Sequence, residues 1–174
     1  EFERMLDQQL ARREDERALV RLDLRRFRIL NDTAGYQAGD DALKQVADLL
    51  RTHVGDGMPV ARLAGNEFAM LVPAETALDS ATGLIQAIEA APFQFGGRRY
   101  PVSASAGVVP AFPALVNAER WLRASEQALA QAKQQGPGKV VAFTPDASDQ
   151  ARQEQIAARV ASLGDLDEER MLLR

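Results

Sequence analysis

The 174-residue chain is predicted to fold as an α+β domain, with helices packed on a central, mostly antiparallel sheet. Segments of helical period alternate with short apolar runs of strand length, and pairs of those runs are joined by glycine-containing turns. A chain of this length also buries roughly two-thirds of its unfolded surface, enough for one substantial core.

Phe2, Met5, Leu6 and Leu10 fall on one helical face, and Ala18 to Leu24 reads as a short apolar strand. Helical period returns from Asp40 to Val54 through Leu43, Val46, Leu49 and Leu50. Val60 to Leu63 and Phe68 to Val72 form a hairpin across Ala64-Gly65-Asn66-Glu67, where Gly and Asn tolerate the left-handed backbone of a tight turn. Ala77 to Ala91 is the next helix, with Thr76 placed to cap it. Phe93 to Phe95 and Tyr100 to Val109 are expected to pair across Gly96-Gly97 as a second hairpin. Ala118 to Gln135 is a long helix stopped by Gly136-Pro137-Gly138, and Lys139 to Phe143 closes the series as a strand. After the turn-rich Thr144 to Ser148, a helix over Gln150 to Leu163 stands outside the compact unit. Two parts follow: residues 1–144 as the domain, and 145–174 as a linker helix and the start of another module.

Composition narrows the function. Without cysteine, neither a disulfide framework nor a thiolate metal site is available. A net charge of -4 argues against nucleic-acid binding, which needs clustered Lys and Arg. No apolar run approaches the roughly 20 residues that span a bilayer, so a soluble, cytoplasmic chain without direct membrane contact is expected.

The chemistry concentrates in two segments, Leu22-Asp23-Leu24-Arg25-Arg26-Phe27-Arg28-Ile29-Leu30-Asn31-Asp32 and Arg62-Leu63-Ala64-Gly65-Asn66-Glu67-Phe68, with Gly39-Asp40 between them. Together they resemble the active-site framework of GGDEF (diguanylate cyclase) domains, over roughly positions 1 to 144. The resemblance implies the nucleotidyl-cyclase, polymerase-palm-like fold. It also implies that Asp23, with the carbonyl of Leu24, stands where the family holds Mg²⁺, hard oxygen donors that suit this ion. Asn31 and Asp40 match the positions that bond the guanine edge, and Arg28 and Lys133 complete a vestigial GTP-binding set. Three of these four also have a plainer reading. Asn31 and Asp40 are also good helix-cap residues, and Lys133 is favourable to a helix C-terminus through the dipole alone.

The chain departs from the family pattern at several of these places. Arg25 takes the second acidic position of the first strand, where it faces the same way as Asp23. The family hairpin Gly-Gly-Asp/Glu-Glu-Phe is here Ala64-Gly65-Asn66-Glu67-Phe68, so Asn66 replaces the metal-binding and catalytic carboxylate. An amide carries no charge and cannot act as a base. Glu67 is a poor substitute, because neighbouring residues on an extended segment point to opposite faces. Pro137 takes an arginine position near the phosphates, Tyr36 that of a histidine and Ala130 that of a tyrosine. Gly55-Asp56-Gly57-Met58 lacks the arginine and aspartate of the product-feedback motif.

The expectation is therefore a catalytically silent GGDEF domain serving as a regulatory or scaffolding module in cyclic di-GMP signalling. No cofactor is expected, and Mg²⁺ only if GTP binds. A GTP-binding sensor and a weak diguanylate cyclase are the alternatives. Glu169-Arg170-Met171-Leu172-Leu173 is similar to the opening strand of an EAL (cyclic di-GMP phosphodiesterase-like) domain. An adjacent EAL domain in a longer parent chain is the expected partner, alongside other signalling proteins; the oligomeric state stays open.

Overall fold

The computed structural model describes residues 1–11, 17–55, 57–112, 115, 117–145, 151, 155, 158 and 159. The elements run α1 (Phe2–Ala11), β1 (Arg17–Arg25), α2 (Phe27–Ala34), α3 (Tyr36–Val54), β2 (Val60–Ala64) and β3 (Glu67–Pro73). After a 3₁₀ turn at Ala74–Thr76 come α4 (Ala77–Ala90), β4 (Phe93–Phe95), β5 (Arg98–Tyr100), β6 (Ser103–Pro110), α5 (Ala118–Gln135) and β7 (Val140–Ala142).

The main sheet has the order β2-β3-β1-β6-β7, antiparallel except for the β6–β7 pair. Its centre, β1, is apolar on both faces because both are covered. Ala18, Val20, Leu22 and Leu24 join Phe68, Met70, Ala106 and Val108 in a core closed by α3 and α4 through Val46, Leu50, Leu84 and Ile88. On the opposite face, Leu19, Ala69, Leu71 and Val109 meet Leu6 of α1 and Trp121, Ala124 and Ala128 of α5. Each large apolar side chain buried this way contributes roughly 1.5–3 kcal/mol, so the two-layer cover dominates the stability.

Two details fix the second face. Gly107 of β6 lies so close to α5 that an added Cβ would sit 2.4 Å from the Leu129 backbone nitrogen and 2.8 Å from the Ala128 carbonyl carbon. The absence of a side chain there lets α5 come down onto the sheet. At the other end, Asp7 of α1 accepts a hydrogen bond from the Ala118 backbone N–H at 2.6 Å, and Asn117 accepts one from Arg120 N–H at 3.0 Å. The free amides of the first turn of α5 are thereby capped from two sides.

Several sequence expectations need correction. Phe27–Ala34, whose extent the periodicity left unassigned, forms α2, and α3 begins at Tyr36, four residues before Asp40. Neither Asn31 nor Asp40 is a cap, because both lie inside helices. Thr76 does sit at the N-cap of α4, but its hydroxyl turns back to the Pro73 carbonyl at 3.5 Å and bonds no helix amide. The run from Tyr100 to Val109 is broken at Pro101-Val102. β5 pairs only with β4 in a separate small hairpin, whereas β6 leaves it to pair with β1. Proline has no N–H to give a ladder, which accounts for the break. Of the expected helix over 150–163, Ala151, Gln155, Ala158 and Arg159 are described and helical; the EAL-like stretch from Glu169 lies outside the described residues.

Candidate functional site

The site forms where β1 ends, the β2–β3 turn folds over it, and the last turn of α5 arrives. Asp23 is on the α5 side of the sheet and only 6% exposed. Its register partners are Glu67 on β3 and Ser105 on β6. Lys133, in the last turn of α5, places its Nζ 2.9 Å from Asp23 Oδ2. The sequence singled out both residues; the structure joins them directly.

Asn66 is held equally firmly. Gly65, at φ 53°, supplies the left-handed turn residue. Asn66 Nδ2 then donates to the Leu24 carbonyl at 2.6 Å, while the Leu24 N–H donates to the Asn66 carbonyl at 3.1 Å. The side chain at the position where the resemblance leads one to expect a carboxylate therefore points at the predicted carbonyl ligand, and offers it a hydrogen.

Glu67 lies across from Asp23 in the β1–β3 register, so its side chain shares the Asp23 face, contrary to the expectation that it would be turned away. Its Oε2 accepts from Arg21 Nη2 at 2.6 Å and Nε at 3.0 Å, a two-pronged contact in a setting where both side chains are mostly covered. Sequence reasoning missed Arg21. Its signal was there, an arginine two residues before Asp23 in an otherwise apolar strand, and hence on the same face. Arg25, half-buried on that strand, forms no ion pair among the described residues. Arg26 links β1 to α2 with a left-handed backbone, φ 64°, uncommon for a residue with a Cβ.

The predicted guanine-edge residues are placed differently from each other. Asn31 packs its side chain over Gly39, with Oδ1 buried and without a hydrogen-bond partner among the described residues. Asp40 is exposed and lines a groove of about 390 Å³ with Leu43, Lys44, Arg51, Arg62 and Phe68; Asn31 is not among its lining residues. Arg62 Nε donates to the Gly65 carbonyl at 2.8 Å and so steadies the hairpin turn. Arg28 is almost fully exposed and only loosely paired, 3.7 Å from Asp32. Pro137 and Lys139 are exposed; the Lys139 carbonyl accepts from Ala106 N–H at 2.9 Å, which starts the β6–β7 pairing. His53 bonds the Ser80 carbonyl at 3.0 Å and ties the end of α3 to α4.

The donor set does not fit a divalent cation. It offers one carboxylate already facing an ammonium group, and a carbonyl already facing an amide N–H. The remaining carboxylate, Glu67, is neutralised by Arg21. Hard cations such as Mg²⁺ are held by charged oxygens and dehydrate reluctantly. Among the described residues of the site, no uncompensated negative charge is left for one.

The family model described as "Diguanylate cyclase, GGDEF domain" matches residues 1–139. This chain belongs to the GGDEF domain family. It is 35% identical over 131 residues to "Probable diguanylate cyclase DgcE" of Escherichia coli K12, covering 74% of this chain and 12% of that protein. The chain thus spans only a small part of that relative. The solved GGDEF domain of PA1120 (YfiN or TpbB) from Pseudomonas aeruginosa superposes with a TM-score of 0.75 at 28% identity, covering 83% of this chain and 94% of that one. An EAL/GGDEF domain protein from M. capsulatus gives a TM-score of 0.68 at 32% identity, covering 79% and 93%. These GGDEF folds match the predicted α+β architecture with its central, mostly antiparallel sheet.

Proposed function

We propose that this GGDEF domain is catalytically inactive and serves as a regulatory or scaffolding module in cyclic di-GMP signalling. The observation that carries the reading is the Asn66 amide turned onto the Leu24 carbonyl at 2.6 Å, in the hairpin position where the family pattern calls for a carboxylate. Joining two GTP molecules needs a base or a metal-activated hydroxyl and cations on the triphosphate. Asn66 supplies no base, Glu67 is tied to Arg21, and Lys133 is engaged by Asp23.

A GTP sensor is the second reading. It is favoured by exposed Asp40, which lines the groove beside Phe68 and Arg62. Against it stands the buried Oδ1 of Asn31, which would have to turn outward to meet a guanine edge. An adjacent EAL domain is the proposed partner, in keeping with the likeness to an EAL/GGDEF protein. The proposed setting is cytoplasmic; no helix among the described residues is long and apolar enough to cross a membrane.

The test is a cyclase assay with GTP and Mg²⁺ or Mn²⁺, read by chromatography. No cyclic di-GMP above background is expected, and sustained product would overturn the reading.

A further inference from the structure

The end of β1 is a place where a buried carboxylate requires a cation. Asp23 is 6% exposed, and a carboxylate so placed is costly unless paired. In this chain the pairing is intramolecular. Lys133 reaches it from 110 residues away, with Nζ at 2.9 Å, and is itself only partly exposed. Beside it, Asn66 Nδ2 takes the Leu24 carbonyl at 2.6 Å. The neighbouring pair, Arg21 with Glu67, is closed in the same way.

Counting formal charge, Asp23 and Lys133 cancel, and Glu67 and Arg21 cancel. Arg25, on the same face and without an ion pair among the described residues, adds one positive charge, so with an amide at position 66 the end of β1 offers a cation no net negative charge. The amide at position 66 and the lysine contact at Asp23 thus act in the same direction, against a bound cation.

We propose that Lys133 is a built-in counter-ion that pairs with Asp23 in place of a divalent cation at the end of β1. It holds the last turn of α5 to β1 and, with the Asn66 clamp, keeps the β2–β3 turn closed in the absence of metal. This deepens the inactive-domain reading and rests on it: that reading requires only that turnover be lost, whereas this one states what stands in the ion's place.

The experiment is thermal melting of the 174-residue chain in EDTA and in millimolar Mg²⁺, with Mn²⁺ binding followed by electron paramagnetic resonance. The wild-type Tm is expected to agree in the two buffers within about 1 °C, with no bound Mn²⁺, because a ligand that does not bind the native state shifts nothing. Lys133→Met should lower Tm by about 3 to 10 °C in EDTA, since it strands a buried carboxylate. Adding Asp23→Asn to Lys133→Met should recover most of that loss, and this double variant keeps the test open if the single one fails to fold. Asn66→Asp with Lys133→Met, which removes the internal cation and adds a carboxylate, should gain saturable Mn²⁺ binding. A wild type stabilised by Mg²⁺ in a saturable way, or a Lys133→Met chain as stable as wild type, overturns the proposal. Failure of the parent reading is separately visible: cyclic di-GMP formation defeats the inactive-domain reading, whereas Mn²⁺ binding without product defeats only the built-in counter-ion.

Discussion

Asn31 lies so closely over Gly39 that a Cβ built on the glycine would stand 1.8 Å from Asn31 Oδ1 and 3.0 Å from its Cγ. The two residues come from different helices, α2 and α3, and this contact sets how near those helices approach. It also holds a predicted nucleotide-binding side chain in a buried position.

Gly39→Ala should therefore push the Asn31 side chain out of its place, at a cost of about 1–3 kcal/mol from overpacking. In an Asn31→Ala background the same substitution should cost much less, because the clashing atoms are gone. A double-mutant cycle by urea denaturation checks this. Equal losses in the two backgrounds would mean that the backbone of α3, and not Asn31, sets the contact.

Gly107→Ala should be among the more damaging single-methyl additions. Its Cβ meets backbone atoms of α5, which cannot rotate aside as a side chain can. A loss of about 2–4 kcal/mol is expected, or a Tm lower by about 4 to 16 °C for a chain of this size. Calorimetry would show it, and an unchanged Tm would mean that α5 can ride up without penalty.

Restoring the carboxylate alone should not restore turnover. Asn66→Asp leaves Arg25, Ala64 and Pro137 in place, and meets a Lys133 already committed to Asp23. Product from this variant at a rate comparable with an active cyclase would show that position 66 was the whole defect.

GTP binding should be weak or absent, in the high micromolar range or above, with little dependence on Mg²⁺. Each charge-assisted hydrogen bond lost at the triphosphate costs roughly 1.5–3 kcal/mol, about ten- to a hundredfold in affinity. Isothermal titration would settle it, and a tight Mg²⁺-dependent isotherm abolished by Asp23→Ala would establish the sensor reading instead.

The parts of the fold that were legible in sequence are those with strong periodicity. Ala118–Gln135 appears with both ends as expected, since Asn117 caps it and Gly136 stops it. The extent of α2 was not legible: it has eight residues, buries only Leu30 and starts from a left-handed arginine instead of a capping side chain. Leaving it unassigned also displaced the start of α3, and with it the plainer reading of Asp40 as a cap. At the site, Asp23, Asn66 and Lys133 were singled out by motif position. Their bonds were not, because a contact between residues 110 apart depends on how close α5 lies to the sheet. No local pattern around Gly107 announces that spacing.

The bond from Asp7 to the Ala118 amide, together with a wholly buried Leu6, makes the opening helix part of the core and not a handle leading into it. A chimera that joined a foreign upstream module at residue 12 would delete a cap of α5 and uncover the apolar ground beneath Trp121. Fusion to an upstream module should accordingly be tolerated only with α1 carried along, and the smallest transplantable unit begins before the first strand.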